Sequence, residues 1–241
     1  MPMAVDSSKS TTATKPRVLI IEDEADIRDL IRFNLEREGM EVDLAEDGEK
    51  GLDLARTKIY DTILLDLMLP GLNGKEVCRA LRSDPRTSVL PVLMVTSRGE
   101  EQDVVDGLEV GADDYITKPF SMKELIARVK TGVRRNRIGP VEESKSPLRR
   151  GEIELDVVCH EVKVQGEDVQ LTLSEFRLLQ HLMRHAGRVF SRSSLLPHVV
   201  GAGVVVVDRN IDVHIRNIRR KLGSDAAKRI VTVRGIGYKF I

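Results

Sequence analysis

Short strand-like segments that alternate strictly with helical patterns constrain the first half of this chain more than any other feature. The segments lie at 17–22, 41–45, 62–66, 91–96 and 115–117, and the helical patterns near 25–37, 48–57, 74–83, 101–110 and 121–135. Four segments are almost continuous apolar runs: Arg17–Ile21, Thr62–Leu65, Pro91–Val95 and Tyr115–Thr117. Such runs suit strands buried on both faces of a parallel sheet. The alternation therefore predicts an α/β fold with a doubly wound parallel sheet of five strands.

The ends of those runs carry the chemistry. Glu22 and Asp23 follow the first, Asp66 the second, Thr96 the third, and Lys118-Pro119 the fourth. Open parallel sheets bind ligands at the carboxyl ends of their strands, so groups far apart in sequence can converge there. One acid at a strand end reads as a solvated terminus; four polar ends at matching positions read as a site. Carboxylates of Glu22, Asp23 and Asp66 are hard oxygen ligands suited to Mg²⁺, and a cation would offset their mutual repulsion. In that setting Asp66 is the candidate nucleophile for a phosphoryl group, with Thr96 and Lys118 as hydrogen-bond donors to its oxygens. Phosphoryl transfer rests mainly on positioning and charge stabilisation, so no separate general base is needed.

The chain has 241 residues, more than a usual single domain of roughly 100–150. Its 38 basic and 38 acidic residues balance, but unevenly along the sequence. Residues 16–130 hold 16 Lys+Arg against 25 Asp+Glu, while residues 148–241 hold 16 against 10. From Arg209 to Ile241 the ratio is 9 to 2, which points to a polyanionic partner for the second half. The Ser/Thr-rich residues 1–15 read as a disordered tail, 16–135 as the first domain, the polar stretch 136–147 as a linker, and 148–241 as the second domain. Neither a membrane span nor a signal peptide is evident, so a cytoplasmic protein is expected. Cys78 and Cys159 fall in different domains and read as reduced packing residues.

The second domain opens with alternating strand patterns at 153–157 and 161–164. Thr172 and Glu175 form a capping-box pattern ahead of the apolar periodicity Phe176, Leu179, Leu182, Met183. A second helix fits 193–199, where Pro197 either shortens it or belongs in its first turn. A third fits 208–222, and the last residues form a hairpin around Arg234 to Gly237. Three helices and a closing hairpin describe a winged helix-turn-helix of α+β type. On the third helix Ile211, Ile215, Ile218 and Leu222 share one face, leaving Arg209, Asn210, His214, Arg216, Asn217, Arg219, Arg220 and Lys221 outward. A basic outward face suits the major groove of double-stranded DNA, where Arg reads guanine and Asn reads adenine. Arg234, at the tip of the hairpin, suits the minor groove. His198 and His214 read as structural groups or phosphate contacts rather than metal ligands.

The strings Ile20–Glu24, Leu64–Gly71, Val95–Ser97 and Gly111–Phe120, together with Asp212–Ile215, make the chain resemble the OmpR/PhoB family of two-component response regulators. The resemblance spans residues 16–241, and the strings Glu22–Arg28 and Asp113–Phe120 lean towards the family's phosphate-responsive group. It implies a receiver domain phosphorylated on Asp66 by a sensor histidine kinase, and a DNA-binding domain that controls transcription. It also implies that Met68 offers its backbone carbonyl to the metal, that the Lys118-Pro119 bond is cis, and that Thr96 and Tyr115 form the switch. A homodimer surface around Asp113, Asp114, Lys123, Glu124, Arg128 and Arg135 is implied as well, as is contact with RNA polymerase through the loop at 199–207.

Three positions depart from the family pattern: Asn217, where many relatives carry arginine; Val200, where tryptophan is common; and Val104, where relatives often carry a base that pairs with the acid at Glu124. Two readings from other classes stand beside this one. A phosphatase of the haloacid dehalogenase type would want a second acid two residues after the nucleophile, where this chain has Met68. No enzyme activity on outside substrates is expected. A constitutive DNA-binding protein would use its receiver for dimerisation alone.

Overall fold

The structure is a computed structural model that describes residues 14–96, 107–108, 110–137, 147–199 and 209–241. Five parallel strands, β1 (Arg17–Ile21), β2 (Glu41–Ala45), β3 (Thr62–Asp66), β4 (Val92–Thr96) and β5 (Asp114–Thr117), form one sheet in the order β2-β1-β3-β4-β5. The chain winds outward from β1 in both directions, so a crevice opens above the carboxyl ends of β1 and β3. Alternation along the strands divides the core in two. Leu19, Ile21, Ile63, Leu65, Val92 and Met94 face one side, with α2 (Gly48–Thr57) and α3 (Gly74–Ser83). Val18, Ile20, Leu64, Leu93 and Val95 face the other, with α1 (Ala25–Arg37) and α4 (Met122–Arg137). A strand that serves two cores has no polar face, which is why its sequence reads as continuous apolar residues.

Local chemistry sets the helix starts. Asp47 caps α2 by accepting from the Lys50 N–H at 2.8 Å, and Asn73 and Glu76 form a capping box on α3. Of the helix expected over 101–110, Gly107, Leu108 and Val110 are described; the first two are helical and Val110 lies in a turn. The last receiver helix runs to Arg137, two residues beyond the expected end.

The second domain starts with a four-stranded antiparallel sheet of β6 (Leu148–Arg150), β7 (Ile153–Asp156), β8 (Glu161–Val164) and β9 (Glu167–Asp168). The outer strands β6 and β9 were not expected: they are two or three residues long and polar, and they exist because β7 and β8 offer them backbone partners. The expected capping box starts α5 (Leu173–Arg184), with Thr172 Oγ1 accepting from Glu175 N–H at 3.3 Å and Glu175 accepting from Thr172 N–H at 2.8 Å. The two-residue β10 (Phe190–Ser191) precedes α6 (Arg192–Val199), then α7 (Arg209–Leu222) and the hairpin β11 (Ile230–Val233) and β12 (Gly237–Phe240). Pro197 occupies the sixth position of α6, past its first turn. Apolar residues of α5, α6, α7 and the strands close a single core around Phe176, Leu179, Ile215, Ile218 and Phe240.

Candidate functional site

The carboxyl ends of β1, β3 and β5 bring three acids and one base together. Oxygen atoms of Glu22, Asp23 and Asp66 all lie within 4.8 Å of one another. Lys118 Nζ stands 2.5 Å from Asp66 Oδ2 and 3.0 Å from Glu22 Oε2. Glu22 and Asp66 are buried, whereas Asp23 is exposed and opens the cluster to solvent. Burial, with the charge of Asp66 behind it, pushes the Glu22 carboxyl up to about 7 against its hydrogen bond to Lys118. Burial works against the Lys118 ammonium too, but hydrogen bonds to Asp66 and Glu22 outweigh it and raise its pKa.

The backbone holds these groups in place. Lys118 N–H donates to Thr96 O at 2.7 Å, and the Lys118-Pro119 bond is cis. Thr96 is buried at the end of β4, beside the cluster in the strand order. Met68 N–H donates to Asp66 Oδ1 at 2.8 Å, which folds the loop after β3 over the carboxylate. Gly74 lets α3 start against that loop, because a Cβ there would lie 2.2 Å from Asp66 O. One contributor escaped the sequence reading. Arg28 Nη1 donates to Glu22 O at 2.7 Å and to Asp23 O at 3.2 Å, pinning the two acids to α1. Its place in the first turn of an acidic helix gave it the look of a solvated base.

The expected dimer residues divide. Asp113 is buried: it accepts from Arg82 Nη2 at 2.7 Å, Val92 N–H at 2.9 Å and Ser174 N–H at 3.1 Å. Arg128 and Asp114 are buried as well and pair at 2.8 Å, with Glu124 on the same guanidinium at 2.9 Å. Lys123 is exposed, and the Arg135 side chain and Val104 lie outside the described residues. Tyr115 is half-buried.

On α7, Arg216 and Arg220 are exposed, as is Arg234 in the hairpin turn, where Gly235 takes φ +73°. Arg219 is half-buried and ties helix to hairpin, donating to Ile230 O at 2.6 Å and Thr232 Oγ1 at 2.8 Å. His214 and Asn217 are buried rather than outward. The periodicity of α7 names its inner face correctly, but a second body covers part of the outer one: Asn217 Nδ2 donates to Leu108 O of the receiver at 3.0 Å. The side chains of Arg209, Asn210 and His198, and most of the loop at 199–207, lie outside the described residues.

A five-stranded parallel sheet that gathers acids, threonine and lysine at its carboxyl edge, followed by a winged helix-turn-helix, defines a receiver joined to a DNA-binding output domain. Residues 18–130 match the family described as response regulator receiver domain, and residues 166–240 the family described as transcriptional regulatory protein, C terminal. Sensory transduction protein RegX3 of Mycobacterium tuberculosis is 46% identical over 92% of this chain and 97% of its own length. The phosphate regulon transcriptional regulatory proteins PhoB of Rhizobium meliloti and Escherichia coli are 46% and 45% identical, over 92% and 93% of this chain and 97% of their own. A solved RitR mutant superposes with a TM-score of 0.74 at 28% identity, covering 94% of this chain and 99% of its own. The chain belongs to the OmpR/PhoB family of response regulators. It is a phosphorylation-dependent transcriptional regulator, and the family implies a sensor kinase and DNA as its partners. The constitutive alternative is not favoured. Among the described residues no helix is long and apolar enough to cross a membrane.

Proposed function

We propose that Asp66 accepts a phosphoryl group from the phosphohistidine of a partner kinase. An Asp66 oxygen attacks phosphorus, the phosphorus–nitrogen bond breaks, and its electron pair leaves with the imidazole. The product is an acyl phosphate on β3. The observation that carries this reading is the Lys118 ammonium lying against both Asp66 and Glu22. It stands where added negative charge must be balanced, and Thr96, buried at the end of β4, would donate to a phosphoryl oxygen.

The donor set fits Mg²⁺: three converging carboxylates, one of them, Glu22, pushed up by burial and then by the charge of Asp66, are ligands short of positive charge. Glu22, Asp23 and Asp66 would hold the ion together with the Met68 carbonyl. It would neutralise charge that develops on the transferring group. Met68 stands where a phosphatase would place its general acid, so the chain is a switch rather than an enzyme acting on outside substrates.

The remaining assignments follow the same reading, with domains at 16–135 and 148–241. Phosphorylation shifts Thr96 and Tyr115 and favours a homodimer through Asp113, Asp114, Lys123, Glu124, Arg128 and Arg135. The paired second domains then engage two half-sites of a promoter through Arg209, Asn210, His214, Arg216, Asn217, Arg219 and Arg220, with Arg234 in the minor groove. The loop at 199–207 meets RNA polymerase, and the protein acts in the cytoplasm. The test is selection of duplexes from a random pool with and without beryllofluoride and Mg²⁺. A two-half-site motif enriched under activation supports the reading, and an identical motif in both conditions refutes the gating.

A further inference from the structure

A cavity of about 270 Å³ lies where the two domains meet, and no residue of the acid cluster lines it. Its volume falls below the roughly 300–1,000 Å³ of pockets that hold drug-sized ligands, so it suits a small ion or molecule. Arg82 lines it from the receiver, and Gln170, Glu175, Asn217, Arg220 and Lys221 from the second domain. Two of the three bases are already matched by acids. Arg82 Nη2 lies 2.7 Å from Asp113 Oδ2, and Lys221 Nζ 2.6 Å from Glu175 Oε2. Arg220 is exposed and has no ion pair among the described residues, which leaves the wall with one positive charge in excess.

Asn217 adds a second requirement. Its Nδ2 donates to Leu108 O at 3.0 Å, which fixes the orientation of the amide. Its Oδ1 is buried with no hydrogen-bond partner among the described residues, in a side chain that lines the cavity and is only 1% exposed. A buried acceptor without a donor costs free energy that a ligand can recover. The ligand must therefore bring an O–H or N–H together with negative charge. Sulfate and carboxylates offer acceptors alone, whereas phosphate keeps at least one O–H at neutral pH. We propose that this cavity binds a hydrogenphosphate group, with Arg220 as its counter-charge, Lys221 as a second donor and Asn217 Oδ1 as the acceptor of its O–H. Gln170, exposed beside them, can turn its amide to donate to a further oxygen.

Arginine and lysine converging on one anion suit phosphate oxygens. Arg82 adds charge without a bond to the ligand, since Gly111 O, Ser88 O, Leu90 O and the Asp113 carboxylate occupy its guanidinium. Free orthophosphate is one source of the group, and a phosphomonoester is another. With a second pKa of about 6, a monoester is mostly a dianion without an O–H at neutral pH, so orthophosphate fits better. An ion seated here touches both domains and so favours the arrangement in which they meet. The site stands whether or not α7 reads DNA and Asp66 accepts a phosphoryl group.

Calorimetric titration of the full-length chain with orthophosphate, in chelator so that the acid cluster holds no metal, should give one-to-one binding with a dissociation constant below about 1 mM. Sulfate should bind about tenfold more weakly, or about 1.4 kcal/mol. Gln170→Glu places a carboxylate at the cavity and should weaken orthophosphate about tenfold, whereas Gln170→Lys should tighten it. Both variants change an exposed side chain, and thermal melts matching wild type would show that the fold is intact. Methyl phosphate distinguishes the sources: weaker binding than orthophosphate assigns the site to the free ion, and equal binding to a phosphomonoester. In nuclear magnetic resonance the Asn217 side-chain amide should shift with orthophosphate and stay in place with sulfate. Binding that treats the two anions alike and ignores Gln170→Glu belongs to the basic surface at large and overturns the site, as does a titration that shows no binding.

Discussion

Lys118 does at the residue scale what no acid in the cluster can do. Two buried carboxylates, Glu22 and Asp66, face one ammonium, and removing it leaves charge uncompensated in a poorly solvated place. Lys118→Ala should destabilise the receiver by roughly 3 kcal/mol in chelator, near the lower end for breaking a buried ion pair. Mg²⁺ should recover a large part of that loss, which thermal melts with and without the ion would measure. Asp66→Asn removes the nucleophile itself and should abolish phosphoryl uptake from a small-molecule donor on a phosphate-affinity gel; uptake equal to wild type would move the acceptor elsewhere. Arg28 sits outside the chemistry yet holds two acid-bearing carbonyls, so it positions the cluster without touching a phosphoryl group.

At the scale of elements, the start of α3 and the hairpin decide most. Gly74 allows the helix to begin against the strand that bears the acceptor, and the nearest atom to an added Cβ is a backbone oxygen that cannot turn aside. Gly74→Ala should cost about 1–3 kcal/mol, the usual range for overpacking, and the loss should appear in the receiver's calorimetric transition. Thr172 caps α5 with its partner Glu175, and Thr172→Ala should cost about 1 kcal/mol in the second domain. The hairpin is fastened to α7 by Arg219 and Tyr238, which leaves its tip free to reach outward. Arg234→Ala should weaken DNA binding and lower the salt slope by about one while phosphoryl uptake stays unchanged, as titrations at several salt concentrations would show.

At the scale of the whole molecule, charge is partitioned between domains. The acidic receiver and the basic output domain would attract one another at long range. Among the described residues the contacts between them are specific and include an amide on a carbonyl, a carboxylate at a helix start and one valine in a foreign core. Activation should convert a monomer to a dimer in sedimentation when beryllofluoride and Mg²⁺ are added, and a species that stays monomeric while gaining DNA affinity would reject dimerisation as the gate.

The parallel sheet, the strand ends that carry Glu22, Asp23, Asp66, Thr96 and Lys118, the capping box at Thr172 and the apolar face of α7 are all legible in the residues. Each of these is written in local periodicity or in residue type at a strand end, where a side chain's direction follows from the backbone. The short strands β6, β9 and β10 were not legible, because they are too brief and polar to carry a period and depend on neighbours for hydrogen bonds. Nor were the pinning role of Arg28, the burial of Asp113 by Arg82, or the meeting of Asn217 with Leu108. Those contacts join residues through tertiary placement. Periodicity says which side of a helix is polar, but what that side touches is settled by packing in three dimensions, because a polar face can be satisfied equally by water, by DNA or by another domain's backbone.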